Sequence, residues 1–287
     1  MNGGSQHGPV RATRDPRRAD EWGLVLTARG IPFELDVSDG EIRLWTLPGD
    51  FDRAVHELDA FDAENIPEPP RPEVPRWGST AVGFVFAWVV LAAHGAMSGN
   101  SRFFVRGSAR AERLLGGEPW RAVTALTLHA DFPHVAGNAA FGGALLTAAA
   151  WRIGPGVAFA LSVAAGVMGN VLTALLYAER HTAIGASTAV FGTLGIVSGT
   201  SLFDARRYGV RRRAPWVLIG ASVALLGFLG TNEGSDVIAH ATGWASGVAL
   251  GLAIVAVSSA PLRGSLQWVF AGLACVVLGG AWALAWR

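Results

Sequence analysis

The chain has no lysine: all 23 of its basic residues are arginine, which reads as a coding bias rather than a clue to function. It has one cysteine, Cys275, so an intrachain disulfide is excluded. With a net charge of +1 it offers nucleic acid no electrostatic handle, and no nucleic-acid partner is expected. The polar, arginine-containing N-terminus has no apolar run, so it does not read as a signal peptide. Charge is scarce after the first eighty residues, although 51% of the whole chain is hydrophobic. That contrast separates a polar front end from an apolar body.

Residues 1–19 have no periodicity and are expected to be disordered. Residues 20–66 carry the signals of a small α+β domain. Glu21 to Arg29 reads as a helix stopped by Gly30. Phe33 to Val37 and Ile42 to Leu47 alternate around Ser38-Asp39-Gly40, the pattern of a hairpin. Asp50 to Asn65 places Phe51, Val55, Leu58 and Phe61 at helical spacing. Residues 67–79 form a proline-rich linker, expected to be extended.

From residue 80 the apolar runs are each close to the ~20 residues that cross a bilayer. Spans are expected at 80–98, 134–151, 155–178, 185–203, 214–230, 236–258 and 266–286. Arg206, Arg207, Arg211, Arg212 and Arg213 crowd the loop 204–213, and Arg152 and Arg263 mark two short links. The positive-inside rule makes these three connections cytoplasmic, and with them the N-terminus. The loop 99–128 is also basic, but Phe103, Phe104, Leu114 and Leu115 suit it to the membrane interface. Trp77, Trp120, Trp151, Trp216, Trp268 and Trp286 fall near span ends, where interfacial anchors belong.

Within this body a few polar residues stand out. A charged side chain at mid-bilayer costs roughly 2.5–3.5 kcal/mol, so an intramembrane histidine such as His240 marks a functional site by default. Ser187 opens the fourth span, where backbone N–H groups lack intrahelical acceptors and the helix dipole is positive. The two lie at similar depth and pair as nucleophile and base; the bland alternatives are a helix-capping serine and a structural histidine. Gly243, Gly247 and Gly251, with Gly192, Gly195 and Gly199, let two helix backbones approach closely. His134 and Asn138 share a helix face at i, i+4 and can donate hydrogen bonds to an oxyanion. His129 and His134 are five apart, not the four that aligns two ligands on a helix, so no metal and no cofactor are expected. No acidic residue lies deep in a span; Asp236, one turn from His240, reads as a helix cap.

Together these residues resemble the rhomboid intramembrane serine proteases. The resemblance rests on Trp120-Arg121, His129-x4-His134-x3-Asn138, Gly185-x-Ser187 and His240-x2-Gly243-x3-Gly247, in that order. It covers residues 80–258 and implies an all-α polytopic membrane protein with a six-helix core. Residues 259–287 would add a seventh, C-terminal transmembrane helix, and 20–66 a small cytosolic domain. The resemblance further implies that Ser187 attacks the scissile carbonyl while His240 takes its proton. His134, Asn138 and the Ser187 N–H would hold the oxyanion, and Phe191 would pack on His240. Trp120 and Arg121 would belong to the interfacial loop. The partners implied are transmembrane helices with helix-weakening residues, cut near the non-cytoplasmic surface of what would be a bacterial inner membrane.

Two positions depart from the family pattern. Thr188 stands where a glycine usually follows the nucleophile. Residues 148–150 are all alanine where a glutamate is common, leaving Arg121 without an identified partner. Two rival readings remain at this stage. One is a catalytically silent rhomboid-like protein that binds membrane helices. The other is a transporter, against which stand the clustering of polar residues near one face and the lack of an inverted repeat.

Overall fold

The computed structural model describes residues 8–65, 77, 81–177, 181–207, 216–217, 220–222, 224, 236–258 and 262–287. The linker 67–79, except Trp77, and most of the expected span 214–230 lie outside the described residues. The chain divides into two compact units, Met1–Pro72 and Glu73–Arg287.

The first unit is an antiparallel sheet in the order β1 (Arg11–Thr13), β3 (Glu41–Thr46), β2 (Phe33–Ser38), with helices α1 (Pro16–Ala28) and α2 (Phe51–Glu64). Ser38 pairs with Glu41 across Asp39 and Gly40, both at positive φ, so the hairpin closes in a two-residue turn of the primed type. Trp22, Leu26, Leu44 and Leu58 fill the core between sheet and helices. The expectation of disorder over 1–19 needs correction, because Arg11–Thr13 is a strand and α1 begins at Pro16 rather than Glu21. The Asp15 side chain accepts from the Arg17 N–H, and Pro16 supplies a preset φ for the first turn. Arg11 pairs with Asp59, and Arg18 with Asp62. These charges looked structureless in sequence because their partners lie over forty residues away.

The second unit is helical. Its long helices are α3 (Ala81–Met97), α7 (Phe132–Ile153), α8 (Pro155–Tyr177), α9 (Ser187–Arg207), α10 (Val237–Val257) and α11 (Gly264–Ala285). Between α3 and α7 lie the short α4 (Ser101–Gly107), β4 (Ala109–Arg110), α5 (Ala111–Leu115) and α6 (Arg121–Thr124). Strand β4 pairs with β5 (Thr182–Ala183), just ahead of α9. By length and composition α8, α10 and α11 can each cross a bilayer, while α3 and α4 are long and apolar enough only as a pair bent by 114°. Helices α7 and α9 are less apolar because they carry Asn138, Asp204 and many Gly, Ser and Thr residues. The chain is a multi-pass membrane protein.

Packing in this unit runs through small residues. Helices α9 and α10 are parallel and in register. A side chain at Gly243 would strike the Thr188 carbonyl, one at Gly247 the Gly192 carbonyl, and one at Gly251 would come 2.6 Å from the Ile196 carbonyl. Each step is four residues on both helices, so the glycines stack backbone on backbone. Hydroxyls tie α8 to its neighbours: Thr193 donates to Ser162 at 2.8 Å, and Thr173 and Thr242 bond at 2.8 Å. At the opposite end Arg152 donates to both oxygens of Asp204 at 3.0 and 2.8 Å.

Candidate active site

Helix α7 begins where Asp131 accepts from the His134 N–H at 2.8 Å, with Pro133 in the first turn. That cap places His134 at the helix mouth and Asn138 one turn deeper. Asn138 is buried, and its Nδ2 has no hydrogen-bond partner among the described residues. An unpartnered buried donor is uncommon and suits a group that appears only during a reaction.

The turn before α9 is held from the segment that precedes α7. The Gly185 N–H donates to the Ala125 carbonyl at 2.9 Å, and the Ala186 N–H donates to His129 Nε2 at 3.3 Å. Gly185 has φ +120°, and a Cβ there would come 2.7 Å from His134 Nε2 and 3.5 Å from Ser187 Oγ. Only glycine combines that backbone with that space. Ser187 is then the first residue of α9. His129 is fully buried, and burial lowers its pKa to about 4, helped by the nearby His134 and His94 and opposed by the Thr127 backbone. It is thus neutral at ordinary pH, which leaves Nε2 free to accept from Ala186.

Helix α10 is capped by Asp236, whose Oδ1 accepts from the Ala239 N–H at 2.9 Å. The other carboxylate oxygen, Oδ2, lies 2.5 Å from His181 Nε2, and Asp236 lines the same cavity as His240. The His240 ring stacks on Phe191 with centroids 4.4 Å apart and planes 18° apart. The parallel register of α9 and α10 brings Ser187 and His240 to one level: each lies at or within a turn of the Thr188–Gly243 contact.

Ser187, His240, His134, Asn138, Thr188 and Phe191 all line one cavity of about 630 Å³. Three helix N-termini converge on it. Two are capped by aspartates, at α7 and α10, while α9 has no acidic residue in its first turn. The positive end of α9 is therefore the one left for an incoming negative charge.

Thr188 is buried, with its methyl against the junction of α8 and α10: a Cβ on Gly169 would come 2.6 Å from it, and one on Gly243 3.0 Å. Thr188 thus fills a notch between glycines and stiffens the turn. Thr188→Gly is expected to destabilise the protein by about 2 kcal/mol, from the lost methyl contacts and the added backbone freedom. Thermal unfolding in detergent checks it, and an unchanged Tm would show that the methyl carries no packing.

Arg121 is 2% exposed and not without a carboxylate. It pairs with Glu118 three residues upstream and donates to the Val105 and Ser108 carbonyls, both at 3.0 Å. The partner is local rather than at the end of the second span, and the i, i+3 spacing of Glu118 and Arg121 is its signal in the sequence. Trp120 is half-buried and its carbonyl accepts from the Thr124 N–H at 2.9 Å, which closes the turn of α6. Among the described residues no group of His, Cys, Asp and Glu could hold a metal.

Residues 116–257, about half of the chain, match the Rhomboid domain family. A protein of Bacillus subtilis (strain 168) named "Putative rhomboid protease YdcA" is 27% identical over 134 residues. That match covers 47% of this chain and 66% of the relative, just under two thirds of its length. The cavity residues named above from α7, α9 and α10 all fall inside the family match, whereas α11 and the first unit fall outside it.

Proposed function

Because the chain belongs to the rhomboid family, we propose that it is an intramembrane serine endopeptidase that cleaves transmembrane helices. The carrying observation is that Ser187, His240, His134 and Asn138 face one cavity at the mouths of three helices. Ser187 Oγ attacks the scissile carbonyl carbon as the His240 imidazole takes its proton. The oxyanion that forms accepts hydrogen bonds from Asn138 Nδ2, His134 and the Ser187 N–H. On collapse the C–N bond breaks and His240 returns the proton to the leaving amine. Water, deprotonated by His240, then releases the acyl group from Ser187. The pair acts as a dyad, with Asp236 capping α10 through the Ala239 N–H.

The arginines at 204–213, Arg152 and Arg263 put the far ends of the core helices in the cytoplasm, together with the N-terminus. The cavity then opens near the outer surface of a bacterial inner membrane, at a depth that water reaches.

The test pairs cleavage of a reporter transmembrane helix in proteoliposomes with fluorophosphonate labelling. Wild type is expected to cleave and to label once, and Ser187→Ala to do neither. Cleavage that survives in Ser187→Ala would sink the mechanism. A wild type that neither cleaves nor labels would favour the rival reading, a silent protein that binds membrane helices.

A further inference from the structure

Resting on that proteolytic reading, we propose that the C-terminal helix α11 is a positioning element of the active site, in which Trp282, through Thr127, holds the turn that presents Ser187. Trp282 Nε1–H donates to Thr127 Oγ1 at 3.1 Å, across 155 residues of chain. Its ring abuts Gly107, where a Cβ would come 2.5 Å from Cη2, and meets Phe103 edge to face at 5.3 Å. One turn on, Arg106 donates to the Ala285 carbonyl at 2.8 Å and its guanidinium lies over the Trp286 ring. The end of α11 is thus bound to the interfacial segment by a hydrogen bond to Thr127 and by ring, cation and backbone contacts around it.

Thr127 sits at the midpoint of what that segment does for the nucleophile. It donates to the Thr124 carbonyl at 2.8 Å, closing the turn that aims the residues on either side. Two residues before it, the Ala125 carbonyl takes the Gly185 N–H; two residues after it, His129 takes the Ala186 N–H. The two N–H groups just ahead of Ser187 are therefore both anchored within five residues centred on Thr127. Gly185 is at positive φ and has no side chain of its own to hold the turn. A loosened Thr127 lets Gly185 and Ala186 relax, and the Ser187 N–H and Oγ lose their aim. Orientation errors of this kind lower the rate of the chemical step rather than substrate affinity.

A simple packing role for Trp282 makes a different prediction, so the variants keep the packing. Trp282→Phe retains a ring and removes the N–H; Thr127→Val retains the shape and removes both the acceptor for Trp282 and the donor to the Thr124 carbonyl. Trp282→Phe is expected to lower kcat about three- to tenfold, the size of one lost hydrogen bond, and Thr127→Val at least as much, both with KM within about twofold. The double variant is expected to lose no more than Thr127→Val alone, and Thr127→Ser, which keeps the hydroxyl, to hold kcat near wild type. Amide exchange over residues 183–190 is expected to speed up in Trp282→Phe and Thr127→Val. Unchanged kcat and unchanged exchange in both, or additive losses in the double variant, overturn the proposal. If wild type neither cleaves nor labels, the proteolytic reading fails and the exchange measurement alone decides the positioning claim.

Discussion

His240→Ala is expected to lower kcat for a transmembrane substrate at least about a thousandfold while the protein remains folded. General-base transfer is worth about 10²–10⁴, and without it the Ser187 hydroxyl is a poor nucleophile. The other polar groups at the cavity have different work: Asp236 caps α10 through the Ala239 N–H, and His134 is assigned to the oxyanion. The fold should survive, because His240 makes ring contact with Phe191 and holds no described hydrogen bond through Nδ1. Circular dichroism and thermal unfolding should match wild type to within a few degrees while kcat collapses. A kcat within tenfold of wild type would remove His240 from the mechanism.

Gly247→Val should act on folding rather than chemistry, with the second large effect. A side chain at Gly247 would overlap the Gly192 carbonyl, which is backbone and cannot swing aside. The α9 and α10 axes would have to separate, lifting Gly243 from Thr188 and Gly251 from Ile196 at once. Overpacking costs about 1–3 kcal/mol where neighbours can give, and here they cannot, so a loss of at least about 3 kcal/mol is expected. Gly247→Ala should cause a smaller loss of the same sign. Gly272→Val on α11 is the control, since a Cβ there meets nothing within 4 Å. Equal Tm for Gly247→Val and Gly272→Val would show that the backbone stacking does not carry the packing.

How much of this could be read without coordinates depended on the range of the signal. Glycines at 243, 247 and 251 announced a close helix contact, and the polar residues at 134, 138, 187 and 240 each stood near a span start. Those are local patterns on a sequence with few competing polar groups in its apolar part. The register of α9 against α10 was hidden, because periodicity gives each helix a face but says nothing about how two faces align. Glu118 does not stand out as the partner of Arg121, because a carboxylate three residues away in an interfacial loop looks like ordinary surface charge. Thr127 and Trp282 were invisible for a stronger reason. A threonine in a short 3₁₀ turn and a tryptophan near a helix end look ordinary, and only the fold brings them to 3.1 Å. The start of α1 is not legible in the sequence, because arginines paired in the fold look there like those of a disordered tail.

Gln267 gives α11 a second attachment. Its Oε1 accepts from the Val157 N–H at 3.0 Å, and its Nε2 donates to the Ile153 and Leu262 carbonyls at 3.2 and 3.3 Å. Trp282 is fixed about four turns away at the other end. A lone transmembrane helix adjusts to a thinner or thicker bilayer by tilting. One pinned at both ends cannot tilt alone, so a mismatch in thickness is borne by whatever holds the pins. At the Trp282 end that is Thr127 and, through Ala125 and His129, the turn ahead of Ser187. If Trp282 positions the serine as proposed, acyl-chain length in the surrounding lipid is expected to change kcat more in wild type than in Trp282→Phe.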